Sequence, residues 1–224
     1  MFFFEGWYLP DGEKKFSAYL EAMKDGEFPM QYQAPHRNLS LSHVTKFNTA
    51  IDVGACVGFW SKDLCRRFNK TICFEPYPKS ADCLIKNLQE YKNYELFDVA
   101  LSNQSGPSKL FVSEVGVGAN SLYDPAMASN PSIDIETKRL DDYGFANVDY
   151  IKIDVQFFEL QVLQGAVETL KFNDPLVCIE CARRTEEELE YVVHIVKFMK
   201  DLGYLNVGGY NKELFFKKKR NSGD

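Results

Sequence analysis

From Thr49 onward the chain alternates short apolar runs with stretches whose apolar residues recur every three or four positions. The runs are residues 50–53, 71–74, 94–99, 150–155 and 176–179. Each is rich in β-branched or aromatic side chains, which suits strands buried on both faces of a parallel sheet. Between them Ala81, Leu84, Ile85 and Leu88 share one helical face, and Leu160, Leu163, Val167 and Leu170 form a second stripe. Thr185-x-x-Glu188 is a capping box, predicting a helix with Leu189, Val192, Val193 and Val196 on one face. Repeated strand–helix units predict an α/β fold with an open, doubly wound sheet.

The two ends depart from this rhythm. Residues 204–207 and 213–216 are short strand patterns joined through Gly208, Gly209 and Asn211, which predicts an antiparallel hairpin closing the sheet. Residues 1–48 hold one amphipathic stretch, 13–23, and a Pro- and Gln-containing loop, 29–35. They are too few for a core of their own and are expected to cap the sheet. The expected organisation is one domain over 1–224, with a cap or lid (1–48), a cofactor-binding core (49–180), and a last helix with the closing hairpin (181–224).

Charge narrows the function. The 26 Lys+Arg stand against 32 Asp+Glu, a net −6, which argues against a polyanion partner. The basic run Lys217-Lys218-Lys219-Arg220 reads as a solvated terminus. No apolar run nears the ~20 residues of a membrane span. The start has no basic n-region and no long apolar segment before Glu5 and Asp11, so no signal peptide is expected and a cytoplasmic site is the default. The six cysteines sit in apolar segments and are expected to be reduced. Cys178-x-x-Cys181 lacks a second ligand pair, so no metal is expected.

The first strand runs into Asp52-Val53-Gly54-Ala55-Cys56-Val57-Gly58, followed by a helix beginning at Phe59. A glycine-bearing turn there lets a ligand approach the backbone beside the free N–H groups of the helix. The spacing is G-x-x-x-G after an acid, not the dinucleotide pattern G-x-G-x-x-G. Asp52 would repel a pyrophosphate but suits the amino group of a methionine-type cofactor. Glu75-Pro76 ends the second strand, 21 residues after Gly54, where a carboxylate can accept from two ribose hydroxyls.

These motifs, with Ala100-Leu101-Ser102, Leu140-Asp141-Asp142-Tyr143, the segment Ile151-Lys152-Ile153-Asp154-Val155-x-x-Phe158-Glu159 and Leu163-x-Gly165-Ala166, resemble the FkbM family of S-adenosylmethionine-dependent methyltransferases. The resemblance covers about residues 50–180, and the N-terminal Tyr32-Gln33 is similar to one branch of the family. It implies a class I methyltransferase, Rossmann-like, with a seven-stranded, mostly parallel sheet carrying one antiparallel strand, and methyl transfer to oxygen of sugars or small molecules. It places Asp52, Gly54 and Gly58 around the methionine moiety, Glu75 on the ribose and the region from Asp98 through Ala100 to Leu101 beside the adenine, with Ala55, Phe59 and Pro76 also expected at the cofactor.

Methyl transfer from a sulfonium needs an aligned acceptor, excluded water and, for an alcohol, a base. Asp154 is the leading candidate for that base, with Glu159 and Glu180 as alternatives; Lys152 shares the face of Asp154. A structural ion pair of Lys152 with Asp154 is the competing interpretation. His36 with Arg37 is a candidate for a substrate lid, and His194 is expected to be structural. Gln156-Phe157 stands where the family has Glu-Gly, and Cys56 where it often has Asn or His. That departure keeps open an inactive member that binds a cofactor or partner; nucleic-acid methylation is the less favoured third possibility.

Overall fold

In the computed structural model, which describes residues 1–24, 32–122, 129–181 and 185–219, the five apolar runs become parallel strands of one sheet. They are β3 (Thr49–Val53), β4 (Lys70–Phe74), β5 (Tyr94–Phe97), β9 (Val148–Ile153) and β10 (Leu176–Glu180). Two more strands, β11 (Tyr204–Tyr210) and β12 (Glu213–Lys218), extend the sheet. The order is β11-β12-β10-β9-β3-β4-β5. Only β12 runs against its neighbours in this sheet, pairing antiparallel with both β10 and β11. The expected hairpin and single antiparallel strand are therefore present.

Strand register decides which side chains meet. Asp52 pairs with Lys152, Lys152 with Cys178, and Cys178 with Phe215, so these four form one row across four strands. Side chains two residues further on return to the same face. That brings Asp154, Glu180 and its partner Glu213 into a second row at the carboxyl edge. Below these rows, Ala50, Tyr150 and Leu176 pack with Phe215 of the first row on Leu41, Trp60 and Leu64. The opposite face packs Ile51, Ile151, Ile153 and Val177 against Val162, Leu170, Ile195 and Met199. Each such fully buried aliphatic side chain contributes roughly 1.5–3 kcal/mol.

The helices on the first face are α2 (Ala34–Leu41) and α3 (Phe59–Arg67), with α4 (Pro78–Asn87) beside them. On the second lie α5 (Glu159–Gln164), α6 (Val167–Asn173) and α7 (Glu186–Asp201). The stripe Leu160 to Leu170 is thus two helices. The break falls at Gly165, where a Cβ would lie 1.9 Å from the Ser102 carbonyl oxygen, so the chain passes another backbone too closely to continue as one cylinder. The capping box of α7 forms as expected, Glu188 N–H donating to Thr185 Oγ1 at 3.1 Å. Its buried face, however, is Val192, Ile195 and Met199, while Leu189, Val193 and Val196 are exposed.

Several elements depart from the periodicity. β5 stops at Phe97 and β9 covers Val148–Ile153, both offset from the apolar runs. Residues 1–9 form a hairpin of β1 (Phe2–Phe4) and β2 (Trp7–Leu9), turned by Glu5 and Gly6, both at positive φ. The amphipathic stretch becomes α1 (Lys15–Lys24). The expected loop 29–35 lies partly outside the described residues, and its last two residues open α2, with Pro35 in the first turn where its missing N–H costs nothing. Between β5 and β9 an additional sheet forms from β6 (Ala100–Leu101), β7 (Gly106–Phe111) and β8 (Ser132–Lys138). Lys217 and Lys218 belong to β12 and not to a frayed end; Arg220 lies outside the described residues.

Gly165→Ala is expected to cost stability at the upper end of the roughly 1–3 kcal/mol typical of overpacking. Urea unfolding checks this, and a midpoint equal to the parent's would contradict the close approach to Ser102.

Candidate functional site

The turn after β3 owes its shape to two close approaches. Gly54 has φ 78°, and a Cβ there would lie 1.9 Å from the Asp154 carbonyl oxygen, so only glycine lets the turn lie against the end of β9. The Gly54 and Ala55 N–H groups both donate to the Phe74 carbonyl at 3.0 Å. Gly58, at φ 91°, caps α3. Cys56 adopts φ 51°, rare for a residue with a side chain, and thereby aims its N–H at Glu75.

Glu75 is held on both oxygens. Cys56 N–H donates to Oε2 and Tyr77 N–H to Oε1, each at 2.8 Å. Each oxygen keeps one lone pair, directed by a fixed carboxylate. Burial pushes Glu75 up to about 7 despite these two bonds. Asp52, 2% exposed, accepts from Ser61 Oγ at 2.5 Å and is pushed up by burial to about 6.

At the other end of the same cleft stands Asp154. Gln156 Nε2 donates to its Oδ1 at 2.7 Å, and Lys152 Nζ lies 3.8 Å from Oδ2. Glu180, on the next strand, sets a second carboxylate charge close to it. Burial first, then the Glu180 charge, push Asp154 up to about 7 against the pull of Lys152. The Lys152 ammonium, 1% exposed, sits 4.9 Å from the centre of the Trp60 ring, and the surrounding acids outweigh its desolvation and hold it charged.

The cleft that joins Glu75 to Asp154 is lined by Asp52, Gly54, Ala55, Phe59, Pro76 and Ala100 among the expected residues. Asp98 is exposed and lies outside it; Val99 and Leu101 occupy that wall instead. Glu159 is also outside. It is buried, accepts from Val155 N–H at 3.2 Å and from the Tyr191 hydroxyl, and so braces the loop after β9. In that loop Gln156 and Phe157 both stand at positive φ, 53° and 71°, the conformation for which glycine is the natural choice. His36 bonds Glu213 at 2.5 Å, tying α2 to β12, and His194 is exposed.

Some lining residues were not among the candidate site residues read from the sequence. Phe16 and Tyr32 come from the N-terminal cap; Val117, Asn120 and Leu122 come from the segment between β7 and β8. Asn120 Nδ2 is buried with no hydrogen-bond partner among the described residues, a donor available to a ligand. Glu13 joins the two roof segments, accepting from Phe16 N–H at 2.9 Å and Val117 N–H at 2.8 Å. All six cysteines are free. Among the described residues no group of three or more His, Cys, Asp or Glu is placed to hold a metal. No described helix is long and apolar enough to cross a membrane.

A carboxylate at the end of β4, a glycine turn after β3 and an acid at the end of β9 are the arrangement of nucleoside-cofactor sites in doubly wound sheets. The fold is that of class I methyltransferases. A Streptococcus mutans methyltransferase in complex with SAH superposes with TM-score 0.55 at 13% identity, over 85% of this chain and 99% of that one. An FkbM methyltransferase from Methylobacillus flagellatus gives TM-score 0.53 at 17% identity, over 76% and 43%. The pattern of the methyltransferase FkbM domain matches residues 52–205, and the chain belongs to that family. Curated relatives include the 2-O-methyltransferase NoeI of Sinorhizobium fredii, 32% identical over 117 residues, or 44% of this chain and 48% of the relative. The methyltransferase sdnD of Sordaria araneosa is 27% identical over 155 residues, or 53% and 60%. The matches thus span about half to three-fifths of these relatives' lengths.

The raised carboxylates set a pH dependence. Asp52 is held near 6, and Glu75, Asp154 and Glu159 near 7, all above their ordinary values of 3.8 to 4.5. The native state therefore keeps protons that the unfolded chain releases, and the stability from these groups is full below the ordinary range and lost as pH rises through 6 to 7. The urea midpoint is expected to be higher at about pH 5.5 than at about pH 8, with a smaller difference in Asp154→Asn. A midpoint rising steadily across that interval would contradict the burial of these acids.

Proposed function

We propose that the chain is an S-adenosylmethionine-dependent O-methyltransferase acting on a hydroxyl of a sugar, glycan or other small molecule, with Asp154 as the base. The observation that carries this is the pairing, in one cleft, of Glu75 pinned by two backbone N–H groups with Asp154 poised near neutral pH. The residues present fit the cofactor. Glu75 has two lone pairs for ribose hydroxyls, Asp52 offers negative charge toward an amino group, and Asn120 Nδ2 is an unused donor. Val99, Ala100 and Leu101 supply an apolar wall for a flat base.

When bound, S-adenosylmethionine supplies a methyl group already activated by its sulfonium. The chain then has to hold the acceptor hydroxyl, exclude water and take one proton. Asp154 does the last: as the acceptor oxygen bonds to the methyl carbon, its proton passes to the carboxylate, and the carbon–sulfur electron pair stays on sulfur. A carboxylate titrating near 7 is a stronger base than an ordinary aspartate, is about half ionised at neutral pH and becomes fully ionised above it. The Lys152 ammonium opposes the upward push that burial and the Glu180 charge exert on Asp154. The oxygen acceptor is supported by NoeI, a 2-O-methyltransferase by name. Asp52, Glu75 and Asp154, the carboxylates that line the cleft, favour a neutral acceptor over an anionic one.

Asp154→Asn is expected to lower methyl transfer by about 10²–10⁴-fold while leaving S-adenosylhomocysteine binding intact. Glu75→Ala is expected to weaken that binding by at least about tenfold, the equivalent of one charge-assisted hydrogen bond. Calorimetry separates the two effects. The acceptor class is tested with tritium-labelled cofactor and a panel of methyl glycosides, neutral and anionic. Label is expected on neutral members only, and a panel left wholly unlabelled counts against transfer to sugar oxygen.

A further inference from the structure

Tyr32 lies in the turn leading into α2, in a cap that the core fold does not require, yet separate contacts fix its backbone and its ring. Arg37, 1% exposed, donates through Nη1 to the Tyr32 carbonyl at 2.8 Å and through Nε to Asp63 at 2.9 Å. The next residue, Gln33, is in the left-handed region at φ 51°, a cost of about 1 kcal/mol or more for a side-chain-bearing residue. Its Oε1 accepts from the Trp60 indole N–H at 2.6 Å. The Tyr32 ring stacks on Phe59 at 4.6 Å and 23°, and meets Phe16 edge-on at 5.5 Å and Tyr19 at 5.1 Å.

These contacts set the ring into the wall of the cleft that holds Asp154 and Gln156. Tyr32 is half-buried, and desolvation of its hydroxyl, together with the charges of Asp154 and Glu180, pushes its ionisation upward. It makes no hydrogen bond to any described residue, unlike the hydroxyls of Tyr150, Tyr191 and Tyr204. A rigidly held ring with an uncommitted hydroxyl beside the reacting carboxylate is an arrangement for a ligand and not for the cap alone.

We propose that Tyr32 is an acceptor-binding residue: its ring closes the reacting end of the cleft against water, and its hydroxyl donates to the acceptor oxygen whose proton Asp154 takes. This rests on the methyl-transfer reading. In the transfer the acceptor O–H proton goes to Asp154, the oxygen–methyl bond forms, the sulfur keeps its electron pair, and Tyr32 ends as it began. Arg37 and Gln33 are positioning residues acting through Tyr32.

The test compares Tyr32→Phe, which keeps the ring, with Tyr32→Ala. Both are expected to bind S-adenosylhomocysteine within about threefold of the parent, because the Glu75 end is untouched. On the methyl glycoside that the parent labels best, Tyr32→Phe is expected to lower kcat/KM by about tenfold or more, the loss of one hydrogen bond to a charged transition state. A Tyr32→Phe enzyme as active as the parent overturns the proposal. A second readout needs no acceptor. With ¹³C-labelled carboxylates, the Asp154 signal, assigned by its loss in Asp154→Asn, is expected to titrate at a different pH in Tyr32→Phe, while Lys152, Glu180, Asp52 and Glu159 remain in place. An unchanged titration in a folded variant overturns the placement of the hydroxyl. A panel with no labelled glycoside refutes sugar O-methylation, and the titration then still decides for or against Tyr32.

Discussion

A lysine ammonium at 1% exposure is the constraint around which this site is arranged. Taking an ion of that size out of water costs several kcal/mol even after relaxation, and the cost is met only by close opposite charge. Lys152 stands on β9 in the middle of the sheet, so its partners must come from the adjoining strands and from its own. Asp52 faces it from β3 and Asp154 follows it by two residues, with Glu180 and Glu213 arriving on β10 and β12. Trp60 covers it with the face of an indole ring. Two of the acids that stabilise the lysine, Asp52 and Asp154, also line the cleft, so an ion pair of Lys152 with Asp154 does not exclude a chemical role for Asp154.

The two ends of the cleft are built differently. The Glu75 end is made from backbone: a glycine turn, two N–H groups on one carboxylate and a helix start, all within about two dozen consecutive residues. The Asp154 end is made from side chains of three strands, a cap turn and a strained loop, whose only common property is where the topology brings them. The first kind of site tolerates little variation, because a Cβ at Gly54 has no room. The second can change shape by changing the cap or the loop at Gln156 and Phe157.

That difference also explains what could be read from the sequence. The parallel strands, the closing hairpin, the α7 capping box and the Gly54–Glu75 constellation are local patterns, each with its physical cause inside a short window. Strand β7 and strand β8 escaped because they are only half-buried and carry alternating patterns interrupted by Pro107 and charged residues. The buried face of α7 was misjudged because Val193 and Val196 are apolar yet face solvent. Glu159 has the spacing of a reacting residue, but its partners, Val155 N–H and Tyr191, turn it into a brace. Tyr32 and Asn120 reach the cleft through contacts spanning a large part of the chain, which no window of sequence displays.

Glu13 gives the roof of the cleft an unexpected property. One carboxylate, 5% exposed, bonds the start of α1 with one oxygen and the Val117 turn with the other, and Gly118 is glycine because the Phe16 ring fills its Cβ position. The cap and the β7–β8 segment are thus interlocked parts, though about a hundred residues separate them. Neither can be lengthened, shortened or exchanged with a homologue's alone without leaving a buried carboxylate half-paired. In the divergence of such chains, the two segments must therefore travel as a pair, and a graft of either from one family member to another has to carry both.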